Sequence, residues 1–257
     1  MLKKANLKIN HFKNQAMRKY VYLLLILNSS CHSQTIQNSS VKELDILVNN
    51  RFSSHQETDL MGDGKRYHIA CNQKFLDSIA IKYPKIEKLI IANNGLKILP
   101  ELQVLSDLRE LNLENNNLTS LNLNPLSVPK LKIIDLSGNN NLDIISIFQI
   151  LSKFDSLEII YLSNCKLTML PSNIYLLKNN IKYLELGNNE LTSLPQETIE
   201  LKKLKIVGLE KNKFKEIPSS LINFKSQILI KIGNNPINQE YKESILERKN
   251  KNINIQW

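Results

Sequence analysis

The sequence of 257 residues is poor in the residue types that several classes of protein require. Its 7 glycines and 3 cysteines exclude a collagen-like chain, an important glycine-rich phosphate loop and a disulfide scaffold. No apolar run reaches the roughly 18 residues that a membrane-spanning helix needs. The remaining composition is ordinary, with 42% hydrophobic and 23% charged residues, and suits one folded domain with short extensions.

The net charge of +10 is unevenly distributed along the chain. The first 30 residues contain six lysines or arginines and no acidic residue, so residues 31–257 keep a net charge of only +4. A charge this small does not favour a polyanionic partner. We therefore predict no nucleic-acid function.

The N-terminal segment has the organisation of an export signal. Residues 20–27 are apolar over the length of a signal h-region, follow two cations, and lead through small or polar residues to Cys31. This arrangement resembles a bacterial lipoprotein signal, although Leu27 stands one position further from the cysteine than is usual in that family. The resemblance implies that residues 1–30 are removed and that Cys31 is acylated.

Two features of this segment stay open. Met17 directly precedes the cations and is an alternative start to Met1. If Cys31 is acylated, residues 31–60 are a polar tether and N-terminal extension, and the protein is a membrane-anchored lipoprotein of the bacterial cell envelope, on its periplasmic or cell-surface side. If the segment is not a signal, the protein is intracellular.

From residue 86 onward the sequence repeats the spacing L-x-x-L-x-L-x-x-N-x-L. A clear copy is formed by Leu108, Leu111, Leu113, Asn116 and Leu118. Seven copies over residues 86–240 place their asparagine position 22 to 26 residues apart. That position is occupied by Asn94, Asn116, Asn139, Cys165, Asn189, Asn212 and Asn235.

This pattern resembles the leucine-rich repeat family. The resemblance implies an α/β solenoid: a leucine-rich-repeat horseshoe with one parallel β-sheet on its concave face, capped at both ends. Elementary physics supports the same architecture, because leucines two residues apart share one face of a strand and stacked copies bury that face. The asparagine amide supplies both a donor and an acceptor, so successive asparagines can form a ladder that satisfies buried turn backbones.

The segments around the repeats predict caps and a convex side. Residues 61–85 form the N-terminal cap, with a short strand over residues 67–71 and a helix containing Phe75, Leu76, Ile79 and Ala80. Residues 241–257 form the C-terminal cap, with a helix over 241–248 and a final strand over 253–257. Prolines begin short helical turns on the convex side, and residues 144–154 predict a longer helix there.

Motifs that carry chemistry are missing from the sequence. There is no nucleophile elbow, paired-carboxylate site or Walker loop, and the histidines have no cysteine or carboxylate at metal-ligand spacing. We predict no catalytic residue, no metal and no cofactor. Cys71 and Cys165 could pair in an exported protein, but Cys165 fits the ladder, which favours a buried free thiol.

The positions between the core leucines face the concave side of the predicted sheet. From the third repeat onward they form an apolar stripe of isoleucine, leucine and tyrosine, with acidic residues at its rim. Such a stripe is typical of a contact surface, although β-branched and aromatic residues also simply suit strands. The candidate binding residues are Ile133, Asp135, Ile159, Tyr161, Tyr183, Glu185, Ile206 and Leu229.

These observations predict a non-enzymatic protein–protein interaction module, exported and lipid-anchored, that binds a protein ligand through its concave surface. A cell-envelope glycan binder is an alternative, because Asn112, Asp135, Tyr161 and Tyr183 suit a sugar. An intracellular regulatory subunit is the second alternative, if the N-terminus is not a signal.

Overall fold

The computed structural model describes residues 43–45, 77, 80–81, 85–248 and 250–257. The predicted signal, Cys31, Cys71, the strand over residues 67–71 and most of the predicted N-terminal cap lie outside these ranges. Of that cap, residues 77, 80 and 81 are helical, and Ala80 packs against the core. Within the described ranges, no helix combines the length and apolarity needed to cross a bilayer.

In the described residues, nine short strands form one sheet in which every strand is parallel to its neighbours and the spatial order follows the chain order. Each strand in the repeats is only three or four residues long, because the chain must leave the sheet at the turn that follows. The strands are β1 (Glu43–Asp45), β2 (Lys88–Ile90), β3 (Glu110–Asn112), β4 (Ile133–Asp135), β5 (Ile159–Tyr161), β6 (Tyr183–Glu185), β7 (Ile206–Gly208), β8 (Ile228–Lys231) and β9 (Ile253–Gln256).

The strand register aligns the repeats residue by residue. The central residues of β2 to β8 pair in sequence as Leu89, Leu111, Ile134, Ile160, Leu184, Val207 and Ile230, and all are fully buried. Leu113, Leu162 and Leu186 are buried in the same continuous core. Each such side chain contributes roughly 1.5–3 kcal/mol when it leaves water, so stacking supplies the stability that no single repeat has. The chain therefore folds as the predicted leucine-rich-repeat solenoid.

Short helical segments connect the strands on the opposite side of the core. The predicted longer helix is α1 (Ile144–Leu151), which begins where the Asp143 carboxylate accepts a hydrogen bond from the Ser146 backbone and which buries Ile147, Phe148 and Leu151. Two 3-10 segments (Ser172–Leu177 and Gln196–Glu200) and α2 (Ser219–Ile222) each begin directly after a proline. Proline suits these starts because its fixed φ is already compatible with a helical turn.

One convex segment differs from its neighbours. The spacing after Pro195 suggests that Ile199 faces the core, but Ile199 is only half-buried and Thr198 is fully buried in its place. The Thr198 hydroxyl makes no hydrogen bond with the described residues. The third residue after the proline is buried in all three segments, as Ile174, Thr198 and Leu221, so the register is the same and this repeat places a threonine at the inward position.

Both ends of the described sheet carry additional elements. At the C-terminal end, α3 (Gln239–Arg248) buries Ile245, and β9 pairs with β8 and buries Ile253, which is the predicted helix-and-strand arrangement. At the N-terminal end, β1 pairs with β2 inside the range predicted as a polar extension. The repeat spacing is present there too, as Val41, Leu44, Ile46 and Asn49, and it is the signal that would have located β1.

Candidate protein-binding surface

A ladder of asparagines fixes the turn that follows each strand. The side-chain oxygen of Asn189 accepts hydrogen bonds from the backbones of Cys165 (2.9 Å) and Leu167 (3.1 Å) in the preceding turn. Its amide donates to the carbonyls of Leu162 (2.8 Å) and Leu186 (2.9 Å). Asn116 makes the same four kinds of contact. From the second repeat onward, each ladder residue thereby bonds to the preceding repeat and helps to fix the curvature of the sheet that carries the concave side chains.

Cys165 occupies the ladder position of the fourth repeat with fewer bonds. Its sulfur lies 3.4 Å from the carbonyl oxygens of both Leu136 and Ser163, and one thiol proton can serve only one of them at a time. Burial raises the pKa of this thiol to about 11, so it is not a reactive nucleophile. Cys165 is a buried free thiol in the structure.

From the third repeat onward, the third position forms a continuous apolar row across the sheet, the third-position row. Ile133, Ile159, Tyr183, Ile206 and Leu229 are direct cross-strand partners, each beside the next. All five are half-buried, because each covers the flanks of its neighbours. The row presents one connected apolar strip, and its rigidity means that little conformational entropy is lost when a partner covers it.

The fifth position forms a second, mostly polar row, the fifth-position row, which consists of Ile90, Asn112, Asp135, Tyr161, Glu185, Gly208 and Lys231. Three of its side chains are oriented by hydrogen bonds from the backbone. The side-chain oxygens of Asn112, Asp135 and Glu185 each accept a hydrogen bond from the backbone N–H two residues later, at distances of 2.8, 2.9 and 2.9 Å. One side-chain oxygen of each residue is therefore directed toward the turn. The rest of each amide or carboxylate group lies on the concave side, next to the apolar row.

Two tyrosines occupy the centre of the concave face. The rings of Tyr161 and Tyr183 meet edge to face with centroids 5.5 Å apart, a favourable aromatic geometry. The Tyr183 hydroxyl donates to Glu185 at 2.6 Å, and the Lys231 ammonium lies 5.8 Å from the Tyr183 ring centroid. Burial, followed by the hydrogen bond to Glu185, raises the pKa of Tyr183.

Gly208 gives the Glu185 carboxylate its place on this surface. A Cβ added at Gly208 would lie 2.1 Å from one Glu185 oxygen, so any larger residue would displace the carboxylate. The absence of a side chain at Gly208 thus leaves room for the Glu185 carboxylate of the preceding repeat. The repeat spacing does not reveal this contact, because it assigns each residue to a row but does not show how a side chain tilts toward the neighbouring row.

The concave face carries carboxylates without counter-charges. We call the third-position row, the fifth-position row and Glu114 together the concave floor. Glu110 pairs with Lys88 at 3.1 Å, but Glu114, Asp135 and Glu185 form no ion pair with any described residue. Burial and the nearby Asp135 raise the pKa of Glu114. Burial raises the pKa of Tyr161 as well, with smaller contributions from the charges of Asp135, Glu110 and Glu185.

Carboxylates on the flanks of the solenoid behave differently. Asp107 lies 2.7 Å from Lys130, Glu158 lies 2.8 Å from Lys182, and Glu190 lies 2.6 Å from Lys213. In each case the lysine, through its hydrogen bond and its charge, lowers the pKa of the carboxyl group. These three flank carboxylates are neutralised by lysines of the same chain, whereas Glu114, Asp135 and Glu185 in the concave floor are not.

The structure brings the eight candidate binding residues together on adjacent strands β4 to β8. Sequence reasoning omitted Glu114, Gly208 and Lys231 from that set, although each stands in or beside the same rows. No group of three or more histidine, cysteine or acidic side chains in the part of the chain described is arranged to hold a metal ion. The surface offers apolar area, aromatic rings and open carboxylates, which are groups suited to recognition.

Comparison with known proteins agrees with the repeat assignment. The family model described as Leucine Rich Repeat matches residues 107–128 and 156–177, which cover the second and fourth repeats. Osteomodulin from Bos taurus is 26% identical over 172 residues, which is 66% of this chain and 40% of that protein. The probable serine/threonine-protein kinase pats1 from Dictyostelium discoideum is 34% identical over 118 residues, 44% of this chain and 4% of that protein. The chain thus spans less than half the length of either relative.

A solved structure is also similar. Human 5T4 (Wnt-activated inhibitory factor 1, trophoblast glycoprotein) superposes with a TM-score of 0.49 at 18% identity, over 65% of this chain and 77% of that one. The strand register, the asparagine ladder and the family model establish leucine-rich repeats in this chain. Repeats of this kind generally serve as protein-interaction modules.

Proposed function

We propose that this protein is a non-enzymatic interaction module that binds a protein partner through its concave floor. The observation that carries the proposal is the connected apolar row on β4 to β8, with Tyr183 at its centre and Tyr161 of the adjacent row packed edge to face against it. Tyrosine is enriched at binding hot spots because it adds a large contact area at a small entropic cost. The asparagine ladder holds this surface in one shape before the partner arrives.

The binding proposal is tested by removing apolar area from the centre of the floor without adding charge. The variant carries Ile159→Ala, Tyr161→Ala and Tyr183→Ala. Its matched control carries Ile145→Ala, Met169→Ala and Tyr175→Ala, three exposed apolar residues from the convex half of the repeats. Chemical cross-linking in the producing cells, followed by mass spectrometry, compares both variants with the wild type.

A partner that binds the floor will be cross-linked to the wild type and to the convex control, and will be lost with the concave variant. Unfolding curves of the purified variants establish that each retains its fold. If the folded concave variant keeps every cross-link of the wild type, binding through the concave floor is refuted.

We further propose that the protein is exported and anchored to the cell envelope through an acylated Cys31. This proposal rests on the order of cations, apolar run and cysteine in the first 31 residues. Cys31→Ser is expected to move the protein from the membrane fraction to the soluble fraction. Cys71→Ser is the matched control and leaves the fractionation unchanged. A wild-type protein that is soluble and still begins at its initiator methionine would instead support the intracellular alternative.

A further inference from the structure

We infer that the partner of the concave floor is a cationic protein segment, in which a lysine or arginine pairs with Asp135 and Glu114 beside Tyr161 while apolar residues cover Ile133 and Ile159. This inference rests on the proposed function and specifies the chemistry of the partner. It follows from the distribution of charge on the floor, from the open hydrogen-bonding groups at its centre and from the protein's own lysines at its ends.

The chain places its own cations only toward the two ends of the described floor. Lys88 on β2 pairs with Glu110, and Lys231 on β8 lies over the Tyr183 ring. On β4 to β7 neither row contains a lysine or an arginine, although the chain has 34 of them. The centre of the floor is therefore a gap in the distribution of cations: it contains acidic and aromatic side chains, and lysines stand only at its two ends. Lys231 also shows how an ammonium group can lie on this surface, against the face of a tyrosine ring.

The groups in that gap retain free hydrogen-bonding capacity. One Asp135 oxygen accepts from the Ser137 backbone at 2.9 Å, and one Glu114 oxygen accepts from the Asn115 amide at 3.3 Å. The second oxygen of each carboxylate makes no hydrogen bond with the described residues, and neither does the Tyr161 hydroxyl. A cationic side chain placed among them would meet acceptors from two strands and an aromatic ring.

Ionisation of Glu114 is disfavoured in the free protein. Glu114 and Asp135 are half-buried carboxylates, and burial, followed by the charge of the nearby Asp135, raises the pKa of Glu114. A cation from a partner would remove that repulsion, so part of the binding energy would come from relief of a cost already present in the free protein. Flank carboxylates, which already hold lysines, offer a partner no comparable gain.

The spacing of the floor suits an extended segment. Neighbouring strands lie about 4.8 Å apart, so Asp135 on β4 and Glu185 on β6 are separated by roughly 10 Å. In an extended chain, alternate residues share one face at intervals of about 7 Å, and flexible lysine side chains can bridge the difference. The residue between two such positions points away from the floor, so a cation at Asp135 and an apolar residue two positions along the segment can lie on one face, with the apolar side chain over the isoleucines.

The probe for this inference is a short fluorescent peptide in which lysine and valine take every second position in turn and serines stand between them, so that both kinds of side chain share one face. An otherwise identical peptide with glutamine in place of lysine is its control. The protein variant carries Glu114→Gln and Asp135→Asn, substitutions that keep the oxygen acceptors and remove both charges. Asn112, which makes the equivalent backbone hydrogen bond one repeat earlier, shows that an amide fits this position. The matched flank variant carries Asp107→Asn and Glu190→Gln. Binding is followed by fluorescence anisotropy at low and at high salt.

We expect the lysine peptide to bind the wild type in a salt-sensitive manner and the glutamine peptide to bind at least about tenfold more weakly. The floor variant should weaken lysine-peptide binding about tenfold, while the flank variant should change it less than about twofold. Equal binding of the two peptides, or undiminished binding by the floor variant, would overturn the inference.

Failure of this inference is distinguishable from failure of the proposed function. If the charge-removing floor variant keeps the cellular cross-links that the Ile159, Tyr161 and Tyr183 alanine variant loses, the floor binds a protein that is not recognised through its cations. If the alanine variant keeps its cross-links, the concave floor is not the binding surface.

Discussion

Two rows of polar side chains run across the same repeats and differ in how fully they are satisfied. The ladder row is asparagine in six of its seven positions, is almost entirely buried, and spends its hydrogen bonds on neighbouring turns. The fifth-position row changes from repeat to repeat and leaves one Asp135 oxygen without a hydrogen bond to the described residues. A residue therefore recurs where the backbone of the preceding repeat needs it. Where no internal group needs it, the position is free to vary and to serve a partner.

The largest effect is expected in the ladder. Asn189→Ala removes the partners of two buried N–H groups and two buried carbonyls, so we expect the free energy of unfolding to fall by about 3–5 kcal/mol. Denaturant unfolding monitored by circular dichroism measures this loss. The control is Asn188→Gly at the adjacent exposed asparagine, which has a φ of 53° that glycine adopts freely. Similar losses in both variants would contradict the distinction between buried ladder and exposed turn.

An intermediate effect of opposite sign is expected on the convex side. The Thr198 hydroxyl is buried without a hydrogen bond, and the equivalent positions in the adjacent repeats are Ile174 and Leu221. Thr198→Val keeps the shape and removes the unsatisfied polar atom, so it should raise the free energy of unfolding by about 1 kcal/mol. Thr192→Val, at an exposed threonine, should change it little. A destabilised Thr198→Val protein would show that the hydroxyl has a partner in solution.

The smallest expected effect is a pH dependence of the free energy of unfolding that differs between a carboxylate of the floor and a carboxylate of the flanks. Because the folded pKa of Glu114 is raised, its ionisation opposes folding, and the penalty appears as the pH rises through that pKa. Glu114→Gln should therefore be more stable than the wild type at neutral pH by a few tenths of a kcal/mol. The difference should vanish below the ordinary carboxyl range, where Glu114 is protonated in both the folded and the unfolded chain.

Asp107→Asn provides the matched comparison with opposite sign. Lys130 holds the pKa of Asp107 below its usual value, so this carboxylate stabilises the fold above the ordinary carboxyl range and loses that contribution as the pH falls. The variant should be less stable than the wild type at neutral pH and equal to it in acid. Thermal unfolding across a pH series measures both variants, and the same sign of effect in both would refute the contrast between floor and flank.

The repeat spacing was sufficient to predict the sheet, the register and the rows of the candidate site, because one buried leucine pattern and one turn residue constrain each coil in the same way. It did not predict that Thr198 and not Ile199 would face inward, since hydrophobicity favours Ile199 whereas the position third after the proline is the one that packs against the core in each of the three segments that follow a proline. It also missed the position of the Glu185 carboxylate over Gly208, which is a contact between rows. The degenerate copy at Val41 to Asn49 was overlooked because it lies far from the regular repeats.

Amide NMR spectra recorded while the lysine–valine peptide is added test the central claim most directly, because they report which face of the solenoid the ligand contacts. We predict that the shifts will concentrate on β4 to β6, at residues such as Asp135, Ser137 and Tyr161, and will decrease with added salt. Shifts that concentrate instead on α1 and the 3-10 segments of the convex side, with the β4 to β6 amides unchanged, would contradict recognition through the concave floor.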